Sequence, residues 1–132
     1  MDRALLLSKL SELALPVGHY VVHGSGPMVL HGLTPEVNDL DVIVRGPAWQ
    51  AALRIGVPVP GRQDLVVAYG EDVELWSGWL GDDIDELIDN AELLDGVPLV
   101  PLAVVLAFKE RLARPKDAAH IALLREHLAT AR

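Results

Sequence analysis

Apolar residues recur at helical spacing near both ends of this chain. Near the start, three leucines share one face of a helix predicted over residues 3–14. Towards the other end, residues 102–113 predict a second helix, which ends before Pro115 because the residue preceding a proline avoids helical backbone. A last helix is predicted over residues 116–129, so the pattern closes with a C-terminal helical pair.

Short apolar runs between these helices predict β-strands. Gly70-Glu71-Asp72 separates two of the runs and indicates a hairpin. The predicted strands cover residues 20–23, 39–44, 65–69, 73–79 and 97–100. Short helices are predicted over residues 27–32 and 47–55, and residues 82–94 are predicted to be helical or irregular. The whole pattern is typical of an α/β (α+β) domain, a small mixed β-sheet flanked by helices.

Length and composition narrow the class further. The 132 residues, 51% of them hydrophobic, predict a single domain over 1–132, with a core over about 18–100 and the C-terminal helices over about 101–130. The absence of cysteine excludes a disulfide framework and a zinc–thiolate site. Because no apolar run reaches the length of a membrane span, we expect a cytoplasmic protein without a membrane partner.

The net charge of −8 bears on the partners of this protein. It argues against a broad electrostatic surface for DNA or RNA, since such surfaces are basic. One basic cluster, from Lys109 to Lys116, could still make a local contact with RNA.

The pattern that indicates a functional site most directly is a glycine-rich turn followed by two carboxylates on the next strand. Gly24-Ser25-Gly26 follows the first predicted strand, and Asp39-Leu40-Asp41 opens the second. Glycines let backbone N–H groups approach phosphate oxygens. Carboxylates two residues apart on a strand point the same way, and two like charges held together favour a bound cation such as Mg²⁺. An ordinary turn and a solvated strand face are the alternatives.

The order of these features resembles a known family. The strand, the glycine turn, the Asp-x-Asp strand and a helical pair carrying Lys109 and Arg114-Pro115-Lys116-Asp117 follow one another within about residues 18–125. This order resembles the minimal nucleotidyltransferase domain of the DNA polymerase β-like superfamily. It is most similar to the nucleotidyltransferase-like proteins of abortive-infection and toxin–antitoxin type. The resemblance implies Mg²⁺-dependent transfer of a nucleoside monophosphate from an NTP to a hydroxyl of an RNA, a protein or a small molecule.

The resemblance also implies roles for residues in the first half of the chain. Gly24-Ser25-Gly26 would hold the triphosphate of the nucleotide. Asp39 and Asp41 would bind the metal. A third carboxylate often comes from a neighbouring strand, and Glu74 is the candidate because it interrupts an apolar run.

Two residues of the second half complete the implied site. Lys109 would contact the phosphates, and Asp117 would belong to a late active-site motif. The implied catalytic set is therefore Asp39, Asp41, Glu74, Lys109 and Asp117.

The chain also departs from the family pattern. Asn38 precedes the Asp-x-Asp pair where serine or threonine is common, and His120 follows Asp117 where an acidic residue is common. We interpret His120 and His127, seven residues apart on the last helix, as a surface pair. The departures keep two alternatives open. One is a nucleotidyltransferase fold that has lost catalysis and binds a ligand or partner, and the other is a subunit that works in an oligomer.

Overall fold

A mixed seven-stranded β-sheet runs through the part of the chain that the computed structural model describes, residues 1–130. The strands are β1 (Tyr20–His23), β2 (Leu40–Val44), β3 (Val57–Pro58), β4 (Val66–Tyr69), β5 (Val73–Trp76), β6 (Glu92–Leu94) and β7 (Val97–Leu99). Their order across the sheet is β3-β4-β5-β2-β1-β7-β6. Strand β2 is central, antiparallel to β1 and parallel to β5.

Six α-helices accompany the sheet within residues 1–130. They are α1 (Arg3–Leu13), α2 (Gly26–Leu30), α3 (Pro47–Ile55), α4 (Ile84–Asp89), α5 (Leu102–Leu112) and α6 (Ala118–Thr130), with a 3₁₀ turn at Pro115–Asp117 between the last two. None of them is both long and apolar enough to cross a membrane.

Each face of the sheet has its own apolar core. One core joins α1 and α3 to one set of strand residues, exemplified by Leu6, Ala52 and Val42. The other joins α4, α5 and α6 to the opposite set, exemplified by Ile43 and Leu124. Helices therefore cover both faces, as expected where strands are buried on both sides.

The alternation along β2 decides where its acidic residue lies. Leu40 and Val42 belong to the core under α1 and α3, whereas Ile43 belongs to the core under α5 and α6. Because successive strand residues point to opposite faces, Asp41 lies on the side of the C-terminal helices. The β2–β5 register then places Glu74 directly beside it on the same face.

Most predicted elements are confirmed, including the mixed sheet, the hairpin between β4 and β5, and the C-terminal helical pair. Strand β5 ends at Trp76 rather than at residue 79. The prediction omitted β3, a two-residue edge strand that contains Pro58, which is tolerated there because an edge lacks one hydrogen-bonded neighbour.

The stretch 82–94 contains both a helix and a strand. Asp83 caps α4 by accepting from the backbone N–H groups of Asp85 and Glu86, at 3.0 and 3.2 Å. Strand β6 then pairs with β7 around Asp95-Gly96, where φ is +51° and +79°. Two consecutive left-handed residues are typical of a two-residue hairpin turn, a signal that the sequence prediction missed.

Candidate active site

A cleft of about 470 Å³ opens on the sheet face that carries α5 and α6. Its walls come from the turn after β1, from β2 and β5, and from the helical pair. Seven of the predicted site residues line it: Gly24, Ser25, Asp39, Asp41, Glu74, Lys109 and Asp117. Gly24 and Asp117, which are 93 positions apart in sequence, thus share one cavity.

Asp41 is the most perturbed carboxylate of the cleft. Burial raises its pKa from the ordinary 3.8 to about 6, and repulsion by Glu74 and Asp39 adds to the rise. The indole N–H of Trp76 donates to Oδ1 over 3.3 Å and partly offsets these effects. A cation bound beside Asp41 would relieve both the burial cost and the repulsion.

Glu74 is held by a residue that the sequence prediction did not include. The guanidinium of Arg62 donates to both of its carboxylate oxygens, at 2.7 and 3.3 Å, and lies 5.3 Å from the ring centroid of Trp76. Within residues 1–130, no group of three acidic or histidine side chains is assembled to hold a metal ion. The donor chemistry of the three carboxylates still suits Mg²⁺, provided that Arg62 releases Glu74.

The glycine turn lies against the carboxylates. Gly24 has φ of +67°, and a Cβ atom there would lie 2.7 Å from Oδ2 of Asp41, so both backbone conformation and space require glycine. Its N–H donates to Nδ1 of His23 over 2.7 Å. Gly26 contributes differently, because it is buried and a Cβ atom there would lie 2.8 Å from Val22. It lies outside the residues that line the cleft, so it provides close packing under the turn.

Trp79 and Phe108 line the cleft, and the buried ring of His23 packs behind them. The His23 ring stacks on Trp79 with 4.6 Å between centroids and meets the edge of Phe108 at 5.0 Å. Burial lowers the pKa of His23 to about 3, so the ring is neutral near pH 7. Apolar groups on this side desolvate the ionisable groups around the cleft, which is why Asp41 and Lys109 are perturbed.

Lys109 links the helical pair to the glycine turn. The side chain is 2% exposed, and its ammonium donates to Oγ of Ser25 at 2.8 Å and to Oδ1 of Asp117 at 3.2 Å. Burial lowers the pKa of Lys109, and the hydrogen bond to Asp117 opposes that change. For Asp117, burial raises the pKa, but bonds from Arg114 and Lys109 outweigh it and the pKa lies below its usual value.

Arg62, Trp76, Arg114 and His120 also line the cleft and were absent from the predicted set. His120 corrects the surface interpretation, since its Nδ1 lies 3.3 Å from Ser25 Oγ. Sequence spacing indicates that two of the four lie near predicted site residues. Trp76 shares a strand face with Glu74, and His120 lies about one helical turn after Asp117. Arg62 lies in the loop between β3 and β4, where no regular alternation of residues indicates which way its side chain points.

Comparisons with protein-family models, with curated proteins and with solved structures found no significant match to this chain. Its functional assignment therefore depends on the geometry of the cleft.

Proposed function

We propose that this protein is a Mg²⁺-dependent nucleotidyltransferase. It would transfer a nucleoside monophosphate from an NTP to a hydroxyl of an RNA, protein or small-molecule acceptor. The observation that carries the proposal is the single cleft in which the Asp41–Glu74 pair, the Gly24-Ser25 turn and the buried Lys109 meet. A toxin–antitoxin or phage-defence setting follows from the sequence resemblance and is part of the same proposal.

The charges of the cleft are divided in a way that suits a metal-bound polyphosphate. One wall carries Asp39, Asp41 and the Arg62–Glu74 ion pair and is net negative. The helical pair forms the other wall, where Lys109 and Lys116 accompany the Arg114–Asp117 ion pair, and it is net positive. A bare anion would be repelled by the first wall and a bare cation by the second. A triphosphate with its metal carries both signs and matches both walls.

The chain's own groups have separable roles in this scheme. Asp39, Asp41 and Glu74 would hold Mg²⁺, which, when bound, supplies Lewis-acid stabilisation of phosphoryl oxygens. Lys109 holds Ser25 in place over 2.8 Å and brings a fixed positive charge to the phosphate side. The rings of Trp79 and Phe108, with His23 packed behind them, limit water on that side of the cleft.

A second candidate function has its own supporting observation. Arg62 pairs with Glu74 over 2.7 Å and covers Trp76, so the third carboxylate already has a cationic partner. A ligand-binding protein of this fold, without catalysis, would keep that pair intact. Metal binding separates the two functions, because the enzyme must free Glu74.

A thermal-shift screen tests the proposed function directly. ATP, GTP, CTP and UTP are each added with and without Mg²⁺, and a ligand that binds the native state raises the melting temperature by mass action. We expect at least one Mg²⁺–NTP pair to stabilise the wild type, and Asp41→Asn to abolish transfer of the labelled α-phosphate to an acceptor.

Asp83→Asn is the matched control for that experiment. It removes one carboxylate from a second Asp-x-Asp sequence, Asp83-Ile84-Asp85 at the start of α4, and asparagine caps a helix as well as aspartate does. The control should behave like the wild type. Absence of stabilisation by all four Mg²⁺–NTP pairs would contradict the proposal, and nucleotide binding without any transfer would favour the ligand-binding alternative.

A further inference from the structure

The hydroxyl of Ser25 lies between two nitrogen atoms of the helical pair. Lys109 Nζ is 2.8 Å from Oγ, and His120 Nδ1 is 3.3 Å from it. The turn before α2 meets the consecutive helices α5 and α6 here, although it lies far from both in sequence. At this point each hydrogen bond has one possible donor and one possible acceptor.

The chemistry of the three groups determines which one donates in each hydrogen bond. An ammonium group donates and cannot accept, so Ser25 Oγ accepts from Lys109. The ion pair of Lys109 with Asp117, at 3.2 Å, holds that ammonium in its charged form. The single hydroxyl proton of Ser25 is then left to donate to His120 Nδ1, and an acceptor Nδ1 in a neutral ring requires the proton on Nε2.

The other side of the His120 ring faces the cleft. The residue lines the cavity and is half-buried, and within residues 1–130 the bond at Nδ1 is the ring's hydrogen bond to protein. Burial and the nearby Lys109 lower the pKa of His120, which favours the neutral ring near pH 7. Its Nε2–H is therefore a donor with a fixed direction, on the same wall as Lys109 and Lys116.

We propose that His120 is a ligand-binding residue of the cleft, whose Nε2–H donates to a phosphate oxygen of the bound nucleotide. The inference rests on the proposed function and deepens it, because it assigns the polyphosphate a neutral directional donor beside the charged lysines. Ser25 acts through His120 as a positioning residue, since its proton selects the ring tautomer.

Two substitutions separate the two nitrogens of the ring. In His120→Asn the side-chain oxygen can still accept from Ser25, but the donor at the Nε2 position is lost. In His120→Gln the terminal amide reaches the Nε2 position and keeps a donor there, while the bond to Ser25 is lost. His127→Asn, on the same helix and outside the residues that line the cleft, is the matched control.

The probe is inorganic tripolyphosphate with Mg²⁺, titrated by calorimetry at fixed salt, since it presents the phosphates without a base. We expect His120→Asn to weaken its affinity about tenfold or more, the range for a hydrogen bond to a charged group. His120→Gln should stay within about threefold of the wild type, and His127→Asn should be unchanged. Imidazole ¹⁵N shifts should report the Nε2–H tautomer, with a change at Nε2 when the probe binds.

Other outcomes overturn the inference. The same loss of affinity in both His120 variants, or a loss confined to His120→Gln, would limit His120 to holding Ser25. If the wild type and both variants bind tripolyphosphate equally well, His120 is not a ligand-binding residue. The proposed function would be unaffected by that result. A wild type that fails to bind the probe would contradict the anion-binding half of the proposed function as well.

Discussion

Asp41 is the residue at which the fold and the proposed function conflict most. Burial, together with the neighbouring Glu74 and Asp39, raises the pKa of this carboxyl to about 6. The folded state therefore binds the proton more tightly than the unfolded chain does, and ionisation disfavours folding. Stability contributed by this group falls as the pH rises from about 4 through about 6, and the cost persists at higher pH.

Asp41→Asn should therefore stabilise the metal-free protein at pH 8 by about 1–3 kcal/mol, since one pKa unit corresponds to about 1.4 kcal/mol and the site is partly solvated. The gain should be small near pH 4 and disappear below it, because the folded-state carboxyl is already protonated there and the unfolded-state carboxyl, with its ordinary pKa of 3.8, becomes protonated just below that pH. Urea unfolding in the presence of EDTA, repeated between these two pH values, measures it. Asp83→Asn should show no such pH-dependent gain, and a destabilised Asp41→Asn at pH 8 would make Asp41 a structural residue.

Arg62 should compete with a divalent cation for Glu74. Replacing it with glutamine removes the guanidinium 2.7 Å from the carboxylate, so Mn²⁺ used as a probe should bind about threefold to tenfold more tightly. Titration calorimetry measures the affinity. Arg125→Gln is the control, because Arg125 pairs with Glu110 on the exposed surface of the helical pair. Unchanged Mn²⁺ affinity in Arg62→Gln would show that the ion pair does not compete.

At the scale of single elements, two helices end in a conformation that their sequence does not favour. Ala14 follows α1 and Ala113 follows α5, both with φ of +49°. The N–H of each caps its helix, on Ser11 O and Lys109 O respectively. Glycine is the usual residue at this position because a Cβ atom destabilises left-handed backbone.

Ala113→Gly should raise the free energy of unfolding by about 0.5–1 kcal/mol. Left-handed alanine costs about 1–2 kcal/mol, and the greater freedom of glycine in the unfolded chain removes part of the gain. Thermal and urea unfolding measure the difference. Ala107→Gly, at an exposed position inside α5, is the control and should lose about 1 kcal/mol. A loss of stability in both variants would contradict the capping argument.

At the scale of the whole molecule, Lys109 joins the helical pair to the turn at the other side of the cleft. Lys109→Met keeps the apolar stem and removes the charge, leaving Asp117 with Arg114 as its partner. We expect a loss of about 1–3 kcal/mol in stability, because a buried hydrogen bond is broken. We also expect Mg²⁺–NTP binding to weaken by about 1.5–3 kcal/mol, the range for a hydrogen bond to a charged group.

Calorimetry well below the melting temperature separates the two effects of Lys109→Met, because every molecule is then folded. Lys9→Met is the control: Lys9 pairs with Asp72 outside the residues that line the cleft and is partly exposed. It should change nucleotide affinity little. Equal nucleotide affinity in Lys109→Met and wild type would detach the helical pair from the proposed site.

The sequence alone determined the elements whose signals are local. Three leucines at helical spacing predicted α1, the turn at residues 70–72 predicted the β4–β5 hairpin, and Pro115 predicted the break in the helical pair. The glycine turn and the Asp-x-Asp pair could also be predicted from the sequence, because backbone conformation and strand alternation are set by neighbouring residues.

Only the tertiary structure decided which side chains meet. The strand register set Glu74 beside Asp41, and the close approach of the turn set Ser25 between Lys109 and His120. Arg62 reached Glu74 from a loop without periodicity. Contacts between residues tens of positions apart depend on how sheets and helices pack, and local sequence patterns do not determine that packing. The short edge strands, which form only by pairing with β4 and β7, escaped prediction for the same reason.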